Sequence, residues 1–130
     1  MISNHELQNM FRLANMSKTK LHYALIQMGR KQIKSEWKSK WSEDRPTVGY
    51  CYPVCEVVYY YTNKKTKPYI LKNLDGTTHW FLKTSTGRVI DLTADQIDDE
   101  FDYNSGVKKS FMTSKISNRG KILLEILRLT

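Results

Sequence analysis

The apolar run that begins at Pro53 constrains the fold of this chain most, because such a run has to be buried. Its members after the proline are Val54, Val57, Val58, Tyr59, Tyr60 and Tyr61. Proline is accommodated in the first turn of a helix, where its missing N–H is not needed. We therefore expect a buried helix from about Tyr52 to Thr62, although the β-branched and aromatic content leaves a strand as the alternative.

A length of 130 residues suits one domain. We expect a single domain over residues 1–130, with a basic helical segment at 1–41 and the core at 42–130. The formal net charge is +8, from 21 Lys and Arg residues against 13 Asp and Glu residues. Such an excess attracts polyanions or acidic protein surfaces by long-range steering. It is equally consistent with a solvated basic face that keeps the protein soluble.

Helical spacing of apolar residues predicts two helices near the N-terminus and one at the C-terminus. The first covers residues 5–15 with Asn4 as its cap, and the second begins after Ser17, passes through Gly29 and ends near Trp41. A buried helix is expected at 121–129, whereas residues 101–114 have an irregular pattern. The solvent-exposed side of the second predicted helix carries the lysines of a candidate basic binding face, namely Lys31, Lys34 and Lys38.

Three short strands are predicted in the middle of the chain, at 69–72, 79–84 and 88–92. Asp75-Gly76 separates the first two, and Ser85-Thr86-Gly87 is short enough to make a hairpin of the last two. An antiparallel sheet follows, and the chain belongs to the α+β class. Thr93 is expected to cap a helical turn that starts at Ala94.

A cysteine, a histidine and an aspartate occur in an order that suits nucleophilic catalysis. Cys51 stands at the start of the predicted helix, His79 on the second strand and Asp91 on the third. A thiol nucleophile needs a base to take its proton, and the base needs an acceptor that fixes its tautomer. Papain-like and transglutaminase-like folds use this order. We therefore predict a catalytic triad of Cys51, His79 and Asp91.

Each member of the predicted triad also has a structural explanation. Taken alone, Cys51 fits a buried structural thiol, His79 a satisfied histidine of the core, and Asp91 a cap for the turn that follows it. Cys55, one turn further along the helix, is expected to lie in the core. Two lone thiols do not make a closed zinc site, so we expect neither a metal nor another cofactor.

Two further residues are weaker candidates for the site. Gln96 is a candidate oxyanion donor and Trp41 a candidate wall of the cleft, and both have equally good packing explanations. The N-terminus lacks the apolar core of a signal peptide, and no apolar run approaches the ~20 residues of a membrane span. We therefore expect a cytoplasmic protein that does not associate with a membrane.

Two segments around these residues resemble the YunG-like family of small bacterial and phage proteins. One is Trp41-Ser42 with Pro46-Thr47-Val48-Gly49-Tyr50-Cys51, and the other is Thr78-His79-Trp80 with Gly87-Arg88-Val89-Ile90-Asp91-Leu92-Thr93-Ala94-Asp95-Gln96. The segment from Ser117-Asn118-Arg119 into the last helix is similar too, so the resemblance covers roughly residues 41–127. The Asp-Leu-Thr-x-x-Gln string is its most specific part.

This resemblance implies a papain-like thiol hydrolase with Cys51 as nucleophile, His79 as base and Asp91 as the group that orients the base. The chain departs from the family pattern at Tyr50, where glutamine is expected before the cysteine, and in a longer basic N-terminal helix. With tyrosine at position 50, the resemblance does not imply a side-chain oxyanion donor directly before the cysteine.

The function expected from the residues is a cysteine-dependent hydrolase or acyl transferase that acts on an amide, thioester or isopeptide bond. Its fold would be a papain-like or transglutaminase-like core, in which the cysteine-bearing helix packs on a small antiparallel sheet. The alternative is a binding or regulatory protein that uses its basic face, with Lys31, Lys34 and Lys38, on nucleic acid or an acidic protein. For the enzyme, the expected substrate is a protein or a small molecule whose identity the sequence does not indicate.

Overall fold

A central helix packs between a small sheet and the last helix in the computed structural model, which describes residues 2–74, 76–96 and 101–129. The helices of this part of the chain are α1 (Asn4–Leu13), α2 (Lys18–Met28), α3 (Ser35–Lys38), α4 (Cys51–Tyr61) and α5 (Asn118–Leu129). The strands are β1 (Lys67–Lys72), β2 (Thr78–Lys83), β3 (Val89–Ile90) and β4 (Val107–Lys108).

The central helix α4 forms where the apolar run predicts it. Pro53 is its third residue, so the missing N–H of the proline falls in the first turn, as expected. The helix packs against β2 on one side and against α5 on another. Val57 and Leu123 are both fully buried. The choice of helix over strand for this run is confirmed.

The sheet has the strand order β3-β2-β1-β4, and each neighbouring pair is antiparallel. Ile70 of β1 lies opposite Trp80, and Leu82 lies opposite Ile90 of β3. The α+β class and the antiparallel sheet are therefore confirmed. The two-residue strand β4 was not predicted, because its place in the sheet depends on pairing with β1 rather than on its own pattern.

The prediction of one helix from Ser17 to Trp41 is wrong. Helix α2 ends at Met28 because Gly29 takes a φ of 68°, a conformation that favours glycine. A 3₁₀ turn at Arg30–Gln32 and the four-residue helix α3 then follow. The lysines at 31, 34 and 38 thus belong to three short pieces of backbone rather than to one face of a long helix.

The other predicted elements differ from the structure mainly at their ends. Ser3 rather than Asn4 caps α1, since its side chain accepts a hydrogen bond from the N–H of Glu6. The turn after Thr93 is a 3₁₀ turn at Ala94–Gln96, and α5 begins at Asn118. No helix among the described residues has the length and apolar content needed to cross a membrane.

One buried acid, Glu56, joins the central helix to the last one. Its carboxylate is almost inaccessible and accepts hydrogen bonds from the backbone N–H and the hydroxyl of Ser117, directly before α5. Burial raises the pKa of Glu56, and these hydrogen bonds oppose that rise. Glu56 therefore fixes the start of α5 against α4, which places Arg119 beside the loop that precedes Cys51.

Candidate active site

Cys51 is the first residue of α4 and lines a cleft of about 360 Å³. Its side chain is partly exposed, unlike that of Cys55 one turn further on. The first amides of a helix have no partner within the helix and the helix dipole is positive there, so an anion is stabilised at this position. A partly exposed sulfur at a helix start, facing a cleft, has the access that a nucleophile requires.

The turn before Cys51 depends on a close approach of the backbone to Ile33. Gly49 has a φ of 80°, and a Cβ atom on it would lie 2.9 Å from Cγ2 of Ile33. Only glycine satisfies both the positive φ and this lack of space. The turn is thereby pressed against the segment that follows α2, and the position of the sulfur is set two residues later.

Arg119 of α5 ties the same turn in place from the other side. Its Nη1 donates hydrogen bonds to the carbonyl oxygens of Gly49 and Gln32, both at 3.1 Å. The guanidinium carbon lies 5.9 Å from the centre of the Tyr50 ring. The Tyr50 hydroxyl in turn donates to the carbonyl of Gly29. Residues far apart in the chain therefore hold the loop that carries the thiol.

His79 and Asp91 form a buried pair within the sheet. His79 lies near the start of β2, and Asp91 follows directly after β3, so antiparallel pairing brings them together. The Nε2 atom of His79 is 2.7 Å from Oδ2 of Asp91. The two side chains are 0% and 1% exposed. Because Nε2 is bonded to Asp91, Nδ1 is the ring nitrogen that can form a hydrogen bond with the Cys51 thiol.

The protonation of His79 is set by this pair together with Cys51. Burial by itself lowers the pKa of His79, but the charge and hydrogen bond of Asp91, and then the hydrogen bond and charge of Cys51, outweigh it. Together they raise the pKa to about 10. An imidazolium is therefore the favoured state of His79 at neutral pH, in contact with a carboxylate and a sulfur.

Tyr103 adds a member to the site that the sequence analysis missed. Its hydroxyl donates to Oδ2 of Asp91 at 2.7 Å, the same oxygen that His79 uses. The Thr93 hydroxyl lies 3.4 Å from the other carboxylate oxygen. Burial and the charge of Asp91 raise the pKa of Tyr103, so the phenol remains a donor. Three donors surround the carboxylate, which satisfies a buried anion.

Phe101 covers His79, the other member of the buried pair. Its ring stacks on that of His79, with centroids 4.2 Å apart and an angle of 7° between the planes. The segment that contains Phe101 and Tyr103 thus restricts rotation of the imidazole and shields it from water. The irregular pattern of residues 101–114 contains no local signal for either role, because both depend on contacts with distant strands.

The remaining predicted residues lie elsewhere. Trp41 is buried and its Nε1 donates to the carbonyl of Pro46, whereas Trp37 and Trp80 line the cleft in the position expected for Trp41. The side chain of Gln96 lies outside the described residues. Cys55 is buried in the core, as predicted, and burial followed by the charge of Cys51 raises the pKa of its thiol.

The three lysines of the candidate basic face are all exposed. Lys31 lies in the 3₁₀ turn after α2, Lys34 precedes α3 and Lys38 ends it. Of these, Lys34 lines the cleft that contains Cys51. Within residues 2–74, 76–96 and 101–129, no group of three or more His, Cys, Asp or Glu side chains is arranged to hold a metal ion.

No family model, no curated protein and no solved structure matches this chain. The resemblance to the YunG-like family therefore stays a prediction, and so does the papain-like character of the core.

Proposed function

We propose that the protein is a cysteine-dependent hydrolase or acyl transferase that acts on an amide, thioester or isopeptide bond. The observation that carries this proposal is the buried pair of His79 and Asp91, in hydrogen-bond contact with a cysteine that opens into a cleft. A histidine fixed by an acid and directed at a nucleophile is the arrangement that covalent catalysis requires.

Acyl transfer to the thiol is the first half of the proposed reaction. The proton of the Cys51 thiol lies on His79, in keeping with the favoured imidazolium, and the thiolate forms a bond to the carbonyl carbon of the substrate. The negative charge that develops on the carbonyl oxygen is stabilised by free amides at the start of α4, among them the N–H of Cys51. The imidazolium of His79 then gives its proton to the leaving amine or thiol as the bond to it breaks.

Release of the acyl group is the second half. Water, or an amine in a transfer reaction, loses a proton to neutral His79 and attacks the thioester carbon. The bond to the sulfur breaks, and the acid or the new amide leaves the cleft. Asp91 stabilises the imidazolium, while Tyr103 and Thr93 keep the carboxylate in place.

Alkylation by iodoacetamide tests the nucleophile directly. We expect the wild-type protein to be labelled at Cys51 and the Cys51→Ala variant to remain unlabelled. Cys55→Ala is the matched control and should keep the wild-type rate, because Cys55 is buried. Mass spectrometry of the intact protein and its peptides measures both rates.

Replacement of the base gives the second part of this test. Removal of a positioned acid–base group typically costs a factor of ~10²–10⁴, and we expect His79→Asn to slow labelling of Cys51 at pH 7 by at least roughly the lower of these factors. Circular dichroism and thermal unfolding check that the variants are folded. Equal labelling of wild type and Cys51→Ala, or of wild type and folded His79→Asn, would contradict the proposed function.

A further inference from the structure

The cleft beside Cys51 contains two cations that the proposed reaction does not use. Lys34 and Arg119 both line it, and one acid, Glu36, lines it as well. Lys34 is exposed, and within the described part of the chain it takes part in no ion pair with a carboxylate. The groups that line the cleft therefore present an excess of positive charge next to the sulfur.

Arg119 is the better organised of the two cations. Both of its described hydrogen bonds, to Gly49 and Gln32, are made by Nη1, so they leave the rest of the five-donor group for another acceptor. The nearby acid Glu56 has its two oxygens bonded to Ser117 instead. A guanidinium held in this way loses little freedom when it binds a carboxylate.

The rest of the cleft wall is aromatic. Trp37, Tyr52 and Trp80 line it, and the rings of Tyr52 and Trp80 meet edge to face with centroids 4.8 Å apart. A volume of about 360 Å³ is at the small end of the range for ligand sites. It suits one side-chain-sized apolar group and a short flanking portion, rather than an extended chain.

We infer that the substrate of this cleft carries an anionic group, most simply a carboxylate, close to the acyl carbon that Cys51 attacks. This inference rests on the proposed function and adds the class of substrate to it. Arg119 binds the anionic group with its free donors, Lys34 contributes attraction from the rim, and the aromatic wall holds the apolar part. Glu36 opposes this attraction, so the net effect of the lining residues is that of one positive charge.

A pair of alkylating probes measures this selectivity without knowledge of the natural substrate. N-iodoacetylglycine and N-iodoacetylglycinamide differ in one carboxylate, and both react with Cys51 at the same carbon. The quantity of interest is the rate with the anionic probe divided by the rate with the neutral probe. Dividing it by the same ratio for 2-mercaptoethanol, a neutral thiol, removes the intrinsic difference between the probes.

We expect the normalised ratio of the wild type to be about five or more. Attraction between two unit charges about 4 Å apart in water corresponds to a factor of about five in rate. Lys34→Gln should lower the ratio, and Arg119→Lys, which keeps the charge but loses the guanidinium, should lower it too. The matched control is Lys115→Gln, which removes the same charge from an exposed position outside the cleft lining. That variant should keep the wild-type ratio.

Salt gives an independent check, because screening weakens attraction between accessible charges. The ratio of the wild type should approach that of 2-mercaptoethanol in 1 M NaCl. A normalised ratio of one for the wild type at low salt would overturn the inference and leave the proposed thiol chemistry intact. So would an equal loss in Lys34→Gln and Lys115→Gln. Absence of labelling of Cys51 by both probes would overturn the inference and the proposed function together.

Discussion

Asp91 determines the chemistry of the site at the scale of single residues. It is 1% exposed and is surrounded by donors from His79, Tyr103 and Thr93. The charge and hydrogen bond of this carboxylate favour the protonated state of the neighbouring imidazole. The resulting pair is able to keep a thiolate beside it.

The charge on His79 leads to a prediction for its titration. The ring signals of His79 should remain those of an imidazolium up to about pH 10, whereas His22, whose pKa is lowered by burial, should titrate below pH 6.5 in the same spectra. Replacing Asp91 by asparagine removes the opposing charge, so the pKa of His79 should fall. NMR of the histidine ring protons measures all three values. A wild-type His79 that titrates between about pH 6 and 7, as an isolated imidazole does, would contradict this.

The raised pKa of His79 also makes the free energy of unfolding depend on pH. The pKa of His79 is raised on folding from 6.5 to about 10. Protonated His79 therefore stabilises the folded state fully below about pH 6.5, and this contribution is lost as the pH rises through about 10. Chemical denaturation at several pH values should show a decrease in the free energy of unfolding over that window, and a smaller decrease in Asp91→Asn.

The Tyr103 hydroxyl provides a further prediction at this scale. Tyr103→Phe removes one donor from the buried Asp91, and hydrogen bonds to charged groups contribute about 1.5–3 kcal/mol. We expect a loss of stability of that order and slower alkylation of Cys51. Tyr69→Phe is the control, since Tyr69 also packs against Phe81 but the hydroxyls that bond Asp91 in the described structure belong to Thr93 and Tyr103.

Denaturant unfolding and iodoacetamide kinetics on the two tyrosine variants give the comparison. If Tyr69→Phe lost as much stability and reactivity as Tyr103→Phe, the hydrogen bond to Asp91 would not be the cause. The prediction that Tyr103 positions His79 through Asp91 would then be wrong.

At the scale of elements, the site depends on three pieces of backbone that meet at the start of α4. The turn at Gly49 supplies the thiol, the adjacent strands β2 and β3 supply the histidine and the acid, and the segment from Phe101 to Tyr103 covers them. A helix start and two paired strands are stiff, so the donor and acceptor atoms are held in place by the fold itself.

Two glycines allow the role of the turn to be separated from backbone strain. Gly49 and Gly87 have similar φ angles of 80° and 84°, but a Cβ would meet Ile33 at Gly49 and nothing within 4 Å at Gly87. Alanine at a left-handed position costs about 1–2 kcal/mol, and overpacking adds about 1–3 kcal/mol. We therefore expect Gly49→Ala to lose clearly more stability than Gly87→Ala and to slow alkylation of Cys51.

Thermal unfolding and iodoacetamide labelling of both alanine variants test this. Equal effects of the two substitutions would show that the contact with Ile33 does not position the loop. Slower labelling in Gly87→Ala alone would point to the hairpin after β2 instead of the turn before α4.

The predicted elements show what local patterns determine. Helix α4 and strands β1 to β3 were predicted with small errors at their ends, because burial of an apolar run and the hairpin turn are local properties. The break after α2 was not predicted. Apolar spacing continues through Gly29 to Ile33, yet the positive φ of Gly29 redirects the chain so that Ile33 packs against Gly49.

At the scale of the whole molecule, charge is distributed unevenly along the chain. No acidic residue occurs from residue 57 to residue 74, nor from 76 to 90. These two ranges contain six basic residues, namely Lys64, Lys65, Lys67, Lys72, Lys83 and Arg88. Like charges also meet in space, since Lys67 lowers the pKa of the exposed Lys108 across the β1–β4 pair. The surface as a whole should attract polyanions.

A double charge reversal separates this general attraction from the thiol site. Lys31 and Lys38 are exposed and lie outside the cleft lining. The variant Lys31→Glu with Lys38→Glu should elute from a heparin column at lower salt, because its net charge is four units lower. Its alkylation by iodoacetamide should stay within about twofold of the wild type, as expected for surface substitutions.

The same variant distinguishes the two functions considered for this chain. Tight binding of single-stranded DNA or an acidic protein that is lost in the double variant and unchanged in Cys51→Ala would favour a binding module. Loss of covalent labelling in Cys51→Ala with little effect of the double variant supports the proposed enzyme. The two outcomes are measured on the same set of proteins.

The amino-acid sequence by itself determined the class of fold, the buried helix with Cys51 at its start, and the order of the cysteine, histidine and aspartate. These follow from apolar periodicity, turn residues and the chemistry of side chains, all of which are local. Only the tertiary structure decided that His79 and Asp91 share a buried hydrogen bond, that Tyr103 and Phe101 enclose them, and that Trp37 rather than Trp41 lines the cleft. Those contacts join segments far apart in the chain, and packing of the complete core selects them.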